Sequence, residues 1–234
     1  MADPYVYPGT QVLRNLLDIR DAAGLQTAER LLSAQRLERS LPDVPITYDG
    51  YKALHRHLFE RLYEWAGEPR SVNIAKGETI FAPPGRIDPL MERQFMLLGH
   101  ERFLENLTPE RFASRAAVYV SEINAVHPFR EGNGRAQRAF LQVLARQAGH
   151  QVDLQRIEPT AWLNASISGF AADYGPMTAV IGAALVPSEE GREVGRLNAP
   201  QVSDAFRERL RRAAREQNPV DLAPKKPGPD YDID

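Results

Sequence analysis

The twelve residues from His127 to Arg138, His-Pro-Phe-Arg-Glu-Gly-Asn-Gly-Arg-Ala-Gln-Arg, constrain this chain more than any other stretch. They lie between two helical patterns. Upstream, Thr108-Pro109-Glu110-Arg111 reads as a helix start, a hydroxyl cap followed by proline at the first helical position. Phe112, Ala116, Tyr119, Val120, Ile123 and Val126 then recur at helical spacing. Pro128 ends that helix, because it lacks an N–H and restricts the residue before it. Downstream, Ala136, Ala139, Phe140, Val143 and Leu144 predict a second amphipathic helix, with Gly149 just past its end. The connecting loop carries Gly132 and Gly134 and finishes on a helix N-terminus, where unpaired N–H groups and the positive end of the helix dipole favour anions. Arg135 and Arg138 lie one turn apart on that helix. Taken singly, His127 reads as a capping or core histidine, Glu131 as a solvated loop charge and the arginines as surface cations. Together on one loop they are the parts of a nucleotidyl or phosphoryl transfer site.

These residues resemble the motif of the Fic family, His-x-Phe-x-Asp/Glu-Gly-Asn-Gly-Arg-x-x-Arg, and every fixed position matches. The resemblance extends from Tyr7-Pro8-Gly9-Thr10 to Pro187. It implies an all-α fold with a short β-hairpin flap, and transfer of AMP from ATP to a hydroxyl side chain of a target protein, with Mg²⁺. By the same resemblance His127 is the base that deprotonates the target hydroxyl, and Phe129 packs inward to hold the loop. Glu131 holds Mg²⁺, Gly132, Asn133 and Gly134 cradle the phosphates, and Arg135 and Arg138 bind the outer ones. The chemistry of the residues agrees. A hydroxyl needs a positioned base near neutral pH, Mg²⁺ favours carboxylate and phosphate oxygens, and arginine offers phosphate a charged fork. Phosphoryl-type transfer depends mainly on positioning and charge stabilisation.

With 234 residues, the chain has room for one sizeable domain, 1–187, and a linker, basic helix and disordered tail over 188–234. A formal net charge of -2 gives no general basic character for nucleic acid. There are no cysteines, which excludes disulfides and thiol catalysis and fits the cytoplasm. The start lacks a signal-peptide pattern, and the longest apolar region, Ile167 to Val186, is too interrupted by Asp173, Gly175 and Pro176 to span a membrane.

In chain order, the apolar spacing predicts helices over Gln11–Ile19, with Val12, Leu13, Leu16 and Leu17, and over Leu25–Arg39, with Ala28, Leu31, Leu32 and Leu37 inward. Tyr48-Asp49 opens a helix to Trp65; His55 and His57, two apart on it, cannot share a face and read as surface or packing residues. Ser71-Val72-Asn73-Ile74 alternates as a strand does, Lys76-Gly77-Glu78-Thr79 is a turn, and Thr79-Ile80-Phe81 is the return strand. This segment, Lys76 to Phe81, is similar to the Fic flap, on which an extended segment of a target docks by strand addition; the plainer reading is a structural hairpin. Further helices are predicted over Asp88–Asn106, with Met91 and Met96 as packing residues, then from Pro159, carrying Trp162, Ile167 and Phe170, and over Met177–Leu185. Ser203 to Gln217 reads as a basic, solvated helix.

Two other readings remain at this point: a Fic-type transferase using another donor (kinase-type, another nucleotide, or phosphocholine), and a non-catalytic nucleotide- or partner-binding module. Bacterial Fic toxins of similar layout modify type II topoisomerase subunits, which the resemblance offers as the target class. Many relatives carry an inhibitory Ser/Thr-x-x-x-Glu-Gly/Asn segment whose glutamate pairs with the second motif arginine, here Arg138. No segment of this chain fits it, so a separate small antitoxin is expected to supply the glutamate.

Overall fold

Pro109, Pro159 and Pro176 sit in the first turns of helices in the computed structural model, which describes residues 3–38, 41–77 and 79–187. Among these residues run α1 (Ala22–Glu38), α2 (Tyr48–Phe59), α3 (Ile87–His100), α4 (Pro109–Val126), α5 (Asn133–Gln147), α6 (Pro159–Phe170) and α7 (Gly175–Ala184). One two-stranded antiparallel sheet, β1 (Ala75–Lys76) with β2 (Thr79–Ile80), and 3-10 turns at Pro84–Arg86, Arg102–Leu104 and Leu154–Arg156 complete the described elements. The all-α fold with a small hairpin is therefore as the sequence implies. None of the described helices is long and apolar enough to cross a membrane.

The helix α4 is the axis. Thr108 Oγ1 accepts the Arg111 N–H at 3.4 Å and Pro109 takes the first turn. Phe112, Ala116, Val120 and Ile123 are almost wholly buried. Around them pack α3, α5, α6 and α7, while α2 lies against α5 and α1 against α2. Each large apolar side chain buried this way contributes roughly 1.5–3 kcal/mol. An aromatic lattice joins the layers: Tyr51, Phe95, Phe129 and Phe140 meet at ring centroid separations of 5.3 to 6.0 Å. It runs from α2 and α3 to the motif loop, which is thus anchored in the core.

Several expected boundaries move, each for a local reason. Residues 11–19 form no helix. Asn15 Oδ1 accepts the N–H groups of Leu17 and Ile19 at 3.2 and 3.0 Å, so its side chain displaces the helical pattern. Leu13 instead bridges Val6, and Leu16 and Leu17 stay half exposed. The first hairpin strand forms at Ala75–Lys76, not Ser71–Ile74, because the Ser71 N–H is taken by the Tyr5 hydroxyl at 3.0 Å and the Val72 carbonyl by Arg70 at 2.7 Å. Two helices end early. Turns follow α2 after Phe59, and α3 gives way to Arg102, Phe103 and Leu104, all left-handed at φ 52°, 53° and 63°. Leu31, assigned inward by periodicity, is exposed, as are Met96, Ile167 and Phe170. Glu78 and the stretch 188–234, with its linker and basic helix, lie outside the described residues.

Candidate active site

His127 occupies the end of α4 in a left-handed conformation, φ 51° and ψ 62°. A residue with a β-carbon adopts that only at a cost of about 1–2 kcal/mol, so surrounding bonds must hold it. The structure supplies them. The His127 N–H donates to Ile123 O at 3.0 Å, and its carbonyl accepts from the Arg70 Nε–H at 2.9 Å. Its Nδ1 lies 3.2 Å from the Asn124 carbonyl, which can only accept, so Nδ1 carries the proton. That leaves Nε2 as the proton-accepting nitrogen. Burial, helped by the charge of Lys76, pushes the imidazole down to about 3, so the ring is neutral at physiological pH.

The loop is fastened at four points. Phe129 is fully buried. The Asn133 side chain clasps it, Oδ1 accepting the Phe129 N–H at 2.9 Å and Nδ2 donating to the Phe129 carbonyl at 2.7 Å. Arg130 reaches Asp3 in the N-terminal arm at 2.8 Å. Gly132, at φ 81°, is the third point. A β-carbon there would sit 2.4 Å from the Phe59 ring, so only glycine fits. His55 is the fourth. Its Nδ1 accepts the Gly67 N–H at 2.9 Å, which puts its own proton on Nε2, and Nε2 donates to the Glu131 carbonyl at 2.9 Å. Its ring stacks on Phe129 at 3.8 Å. Fully buried and held down to about 3 by desolvation, His55 does more than the packing expected of it.

Beyond the loop, α5 begins at Asn133, so the leading N–H groups of the helix face the mouth of the loop. The Gly134 position opens on free space. Glu131 is partly exposed; its Oε1 accepts the Gly132 N–H at 2.8 Å and lies 3.5 Å from Arg135. The two arginines differ. Arg135 binds Glu29 of α1 at 2.8 Å and Ser33 Oγ at 3.3 Å, and stacks over Phe59 at 4.7 Å. The Glu29 carboxylate also accepts the Tyr63 hydroxyl. Arg138 pairs with no carboxylate among the described residues, and lies 5.9 Å from the Trp162 ring centroid.

The hairpin meets this site. Phe81, one residue past β2, stacks on the His127 ring at 3.9 Å and 24°. Lys76 pairs with Thr79 and Ala75 with Ile80. Gly77 takes φ 57°, the left-handed conformation a tight hairpin needs. Ile80 is 74% exposed, and β1 and β2 have no other strand partner among the described residues, so outward edges remain. Sequence reasoning missed Arg70, Glu29 and the role of His55. Their partners lie far away in the chain, and several are backbone carbonyls that leave no motif.

Comparison with known proteins fits this geometry. Residues 45–145 match the Fic/DOC family. The chain is 42% identical over 180 residues to "Probable protein adenylyltransferase y4lH" of Sinorhizobium fredii, covering 76% of this chain and 94% of that protein. It is 37% identical over 179 residues to "Probable protein adenylyltransferase Fic" of Escherichia coli, covering 73% and 86%. The crystal structure of BepC from Bartonella tribocorum, with bound AMPPNP, superposes with a TM-score of 0.72 at 25% identity, covering 79% of this chain and 97% of that one. The chain belongs to the Fic/DOC family. Within it, the chain is a protein adenylyltransferase.

Proposed function

We propose that this protein transfers AMP from ATP to a hydroxyl side chain of a protein docked along the β1–β2 hairpin. The observation that carries the reading is the state of His127: Nδ1 is committed to the Asn124 carbonyl, Nε2 is unprotonated, and the ring lies under Phe81 at the root of the hairpin. A target strand added to the hairpin edge brings its hydroxyl toward that nitrogen. The target oxygen attacks the α-phosphorus of ATP, its proton passes to His127 Nε2, and the bond to the leaving pyrophosphate breaks. The leading N–H groups of α5 and the guanidinium of Arg138 receive phosphate oxygens, and Gly134 leaves room for them. Residues 1–187 serve as the catalytic domain.

Among the described residues no cluster of three or more acidic, histidine or cysteine side chains could cage a metal. A single partly exposed carboxylate on an anion-binding loop fits Mg²⁺, which keeps several waters and takes one or two protein carboxylates beside nucleotide phosphates. Glu131 is that carboxylate. When bound, Mg²⁺ offsets phosphate charge. The AMPPNP held by BepC supports ATP as the donor.

The reading extends to a cytoplasmic toxin restrained by a separate antitoxin whose glutamate engages Arg138, with type II topoisomerase subunits as targets. Its support is that Arg138 faces no internal carboxylate among the described residues, while Glu29 is spent on Arg135. Mass spectrometry of modified lysate protein tests the reaction, since AMP and phosphate add different masses. Growth arrest by the full chain, lost in His127→Ala, tests the toxin role. Inertness of the full chain with activation on removal of residues beyond Pro187 overturns the external brake.

A further inference from the structure

Arg70 is 2% exposed, and among the described residues it faces no carboxylate. A buried cation without a counter-charge persists only where its donors are satisfied. Here all the acceptors are backbone carbonyls, drawn from two separate parts of the fold. Nε donates to His127 O at 2.9 Å and Nη2 to Val126 O at 3.2 Å, both at the negative end of α4. Nη1 donates to Val72 O at 2.7 Å and Nη2 also to Ala82 O at 2.5 Å, one carbonyl on each side of the hairpin. The Arg70 N–H donates to Pro128 O at 2.9 Å. Burial draws the guanidinium down to about 10, which leaves it charged.

We propose that Arg70 is a positioning residue of the transfer reaction, fixing the base His127 and the target-docking hairpin in one register. The inference rests on the reading of His127 and the hairpin given above. The hairpin strands are two residues long, and a two-stranded hairpin is not stable alone. Its placement therefore depends on anchors at its base, and Arg70 holds both arms there. The same guanidinium locks the left-handed end of α4 that aims the imidazole. Only a planar fork spans these carbonyls; a lysine ammonium carries the charge but reaches fewer of them. Arg70 is buried with its donors committed to main-chain carbonyls, so its loss disturbs alignment and not ATP binding.

The test uses the full chain with Arg70→Met and Arg70→Lys. Three quantities are read: hydrogen exchange of the hairpin and α5 amides, affinity for a non-hydrolysable ATP analogue, and initial rate and apparent KM for AMP transfer from labelled ATP to lysate protein. The expected result is faster exchange at Phe81 and Ala82, whose N–H groups donate to Ile74 O and Ala125 O, with α5 unchanged, and analogue affinity and apparent KM within about twofold. The maximal rate falls about a hundredfold in Arg70→Met, as a small misalignment produces, with partial recovery in Arg70→Lys. Unchanged hairpin exchange, or an analogue affinity that falls in step with the rate, overturns the proposal. If Arg70→Met does not fold, Arg70→Lys is judged by the same criteria. Failure of the wild-type chain to transfer AMP to any lysate protein refutes the functional reading instead. Hairpin exchange then still decides whether Arg70 holds the register.

Discussion

Acidification strikes this fold at its active site. His55 and His127 are both buried and neutral, each held down to about 3 from an ordinary value near 6.5. Desolvation is the main cause for each. The hydrogen bonds agree, since protonated His55 would place a second ring N–H against the Gly67 N–H. Between the folded and unfolded values the unfolded chain binds the additional proton, so stability is complete above about pH 6.5 and is lost as pH falls toward 3. One pH unit is worth about 1.4 kcal/mol per group. At pH 5 each histidine therefore removes about 2 kcal/mol, and the pair about 4, against a total that is typically 5–15 kcal/mol. Stopping at pH 5 keeps the measurement above the carboxylate range, which isolates the histidines. The assay is denaturant unfolding at pH 7, 6 and 5 for the wild type and His55→Gln, whose amide does not titrate. His55→Gln is less stable at pH 7 but loses about 2 kcal/mol less on going to pH 5. Parallel curves for the two proteins would refute the assignment of His55 as a buried, neutral donor to Glu131.

Other outcomes follow from the same geometry. His127→Ala keeps the fold and loses about 10²–10⁴-fold in AMP transfer, read in initial rates. The transfer rate of the wild type shows no acid limb near pH 6.5, because His127 stays in its proton-accepting form well below that. Gly132→Ala destabilises by about 2–4 kcal/mol in denaturant titration, since its new carbon meets Phe59 and its φ is left-handed. Arg135→Ala strands the buried Glu29 and loses about 3–5 kcal/mol of stability. Arg138→Ala leaves stability intact and raises the apparent KM for ATP about 10–100-fold. Glu131→Ala loses activity that higher Mg²⁺ partly restores; unchanged metal dependence would count against its role.

The parts of this molecule legible in sequence are those written in local signals. Thr108-Pro109 and the spacing of Phe112 to Val126 fixed α4 to the residue, and Gly149 closed α5 where expected. The motif loop was readable because its chemistry is contiguous. What escaped is non-local or competitive. Asn15 overrides an apolar helical pattern by bonding its own neighbours, which periodicity does not weigh. The hairpin shifts because Tyr5, from elsewhere in the fold, claims the Ser71 N–H and the long side chain of Arg70 folds forward onto the Val72 carbonyl. His55 sits 76 residues from its partner, Glu131, and Arg70 binds only main-chain atoms. Periodicity likewise placed Leu31 inward, yet it is exposed on α1.

The central claim is that His127 drives transfer of AMP, not phosphate, to protein. ATP labelled either at the α-phosphate or at the γ-phosphate, incubated with lysate and the wild-type chain or His127→Ala, tests it in one experiment. Protein-bound label is expected from the α-position alone, and none with His127→Ala. Label carried over from the γ-position, or equal α-labelling by the two proteins, would contradict it.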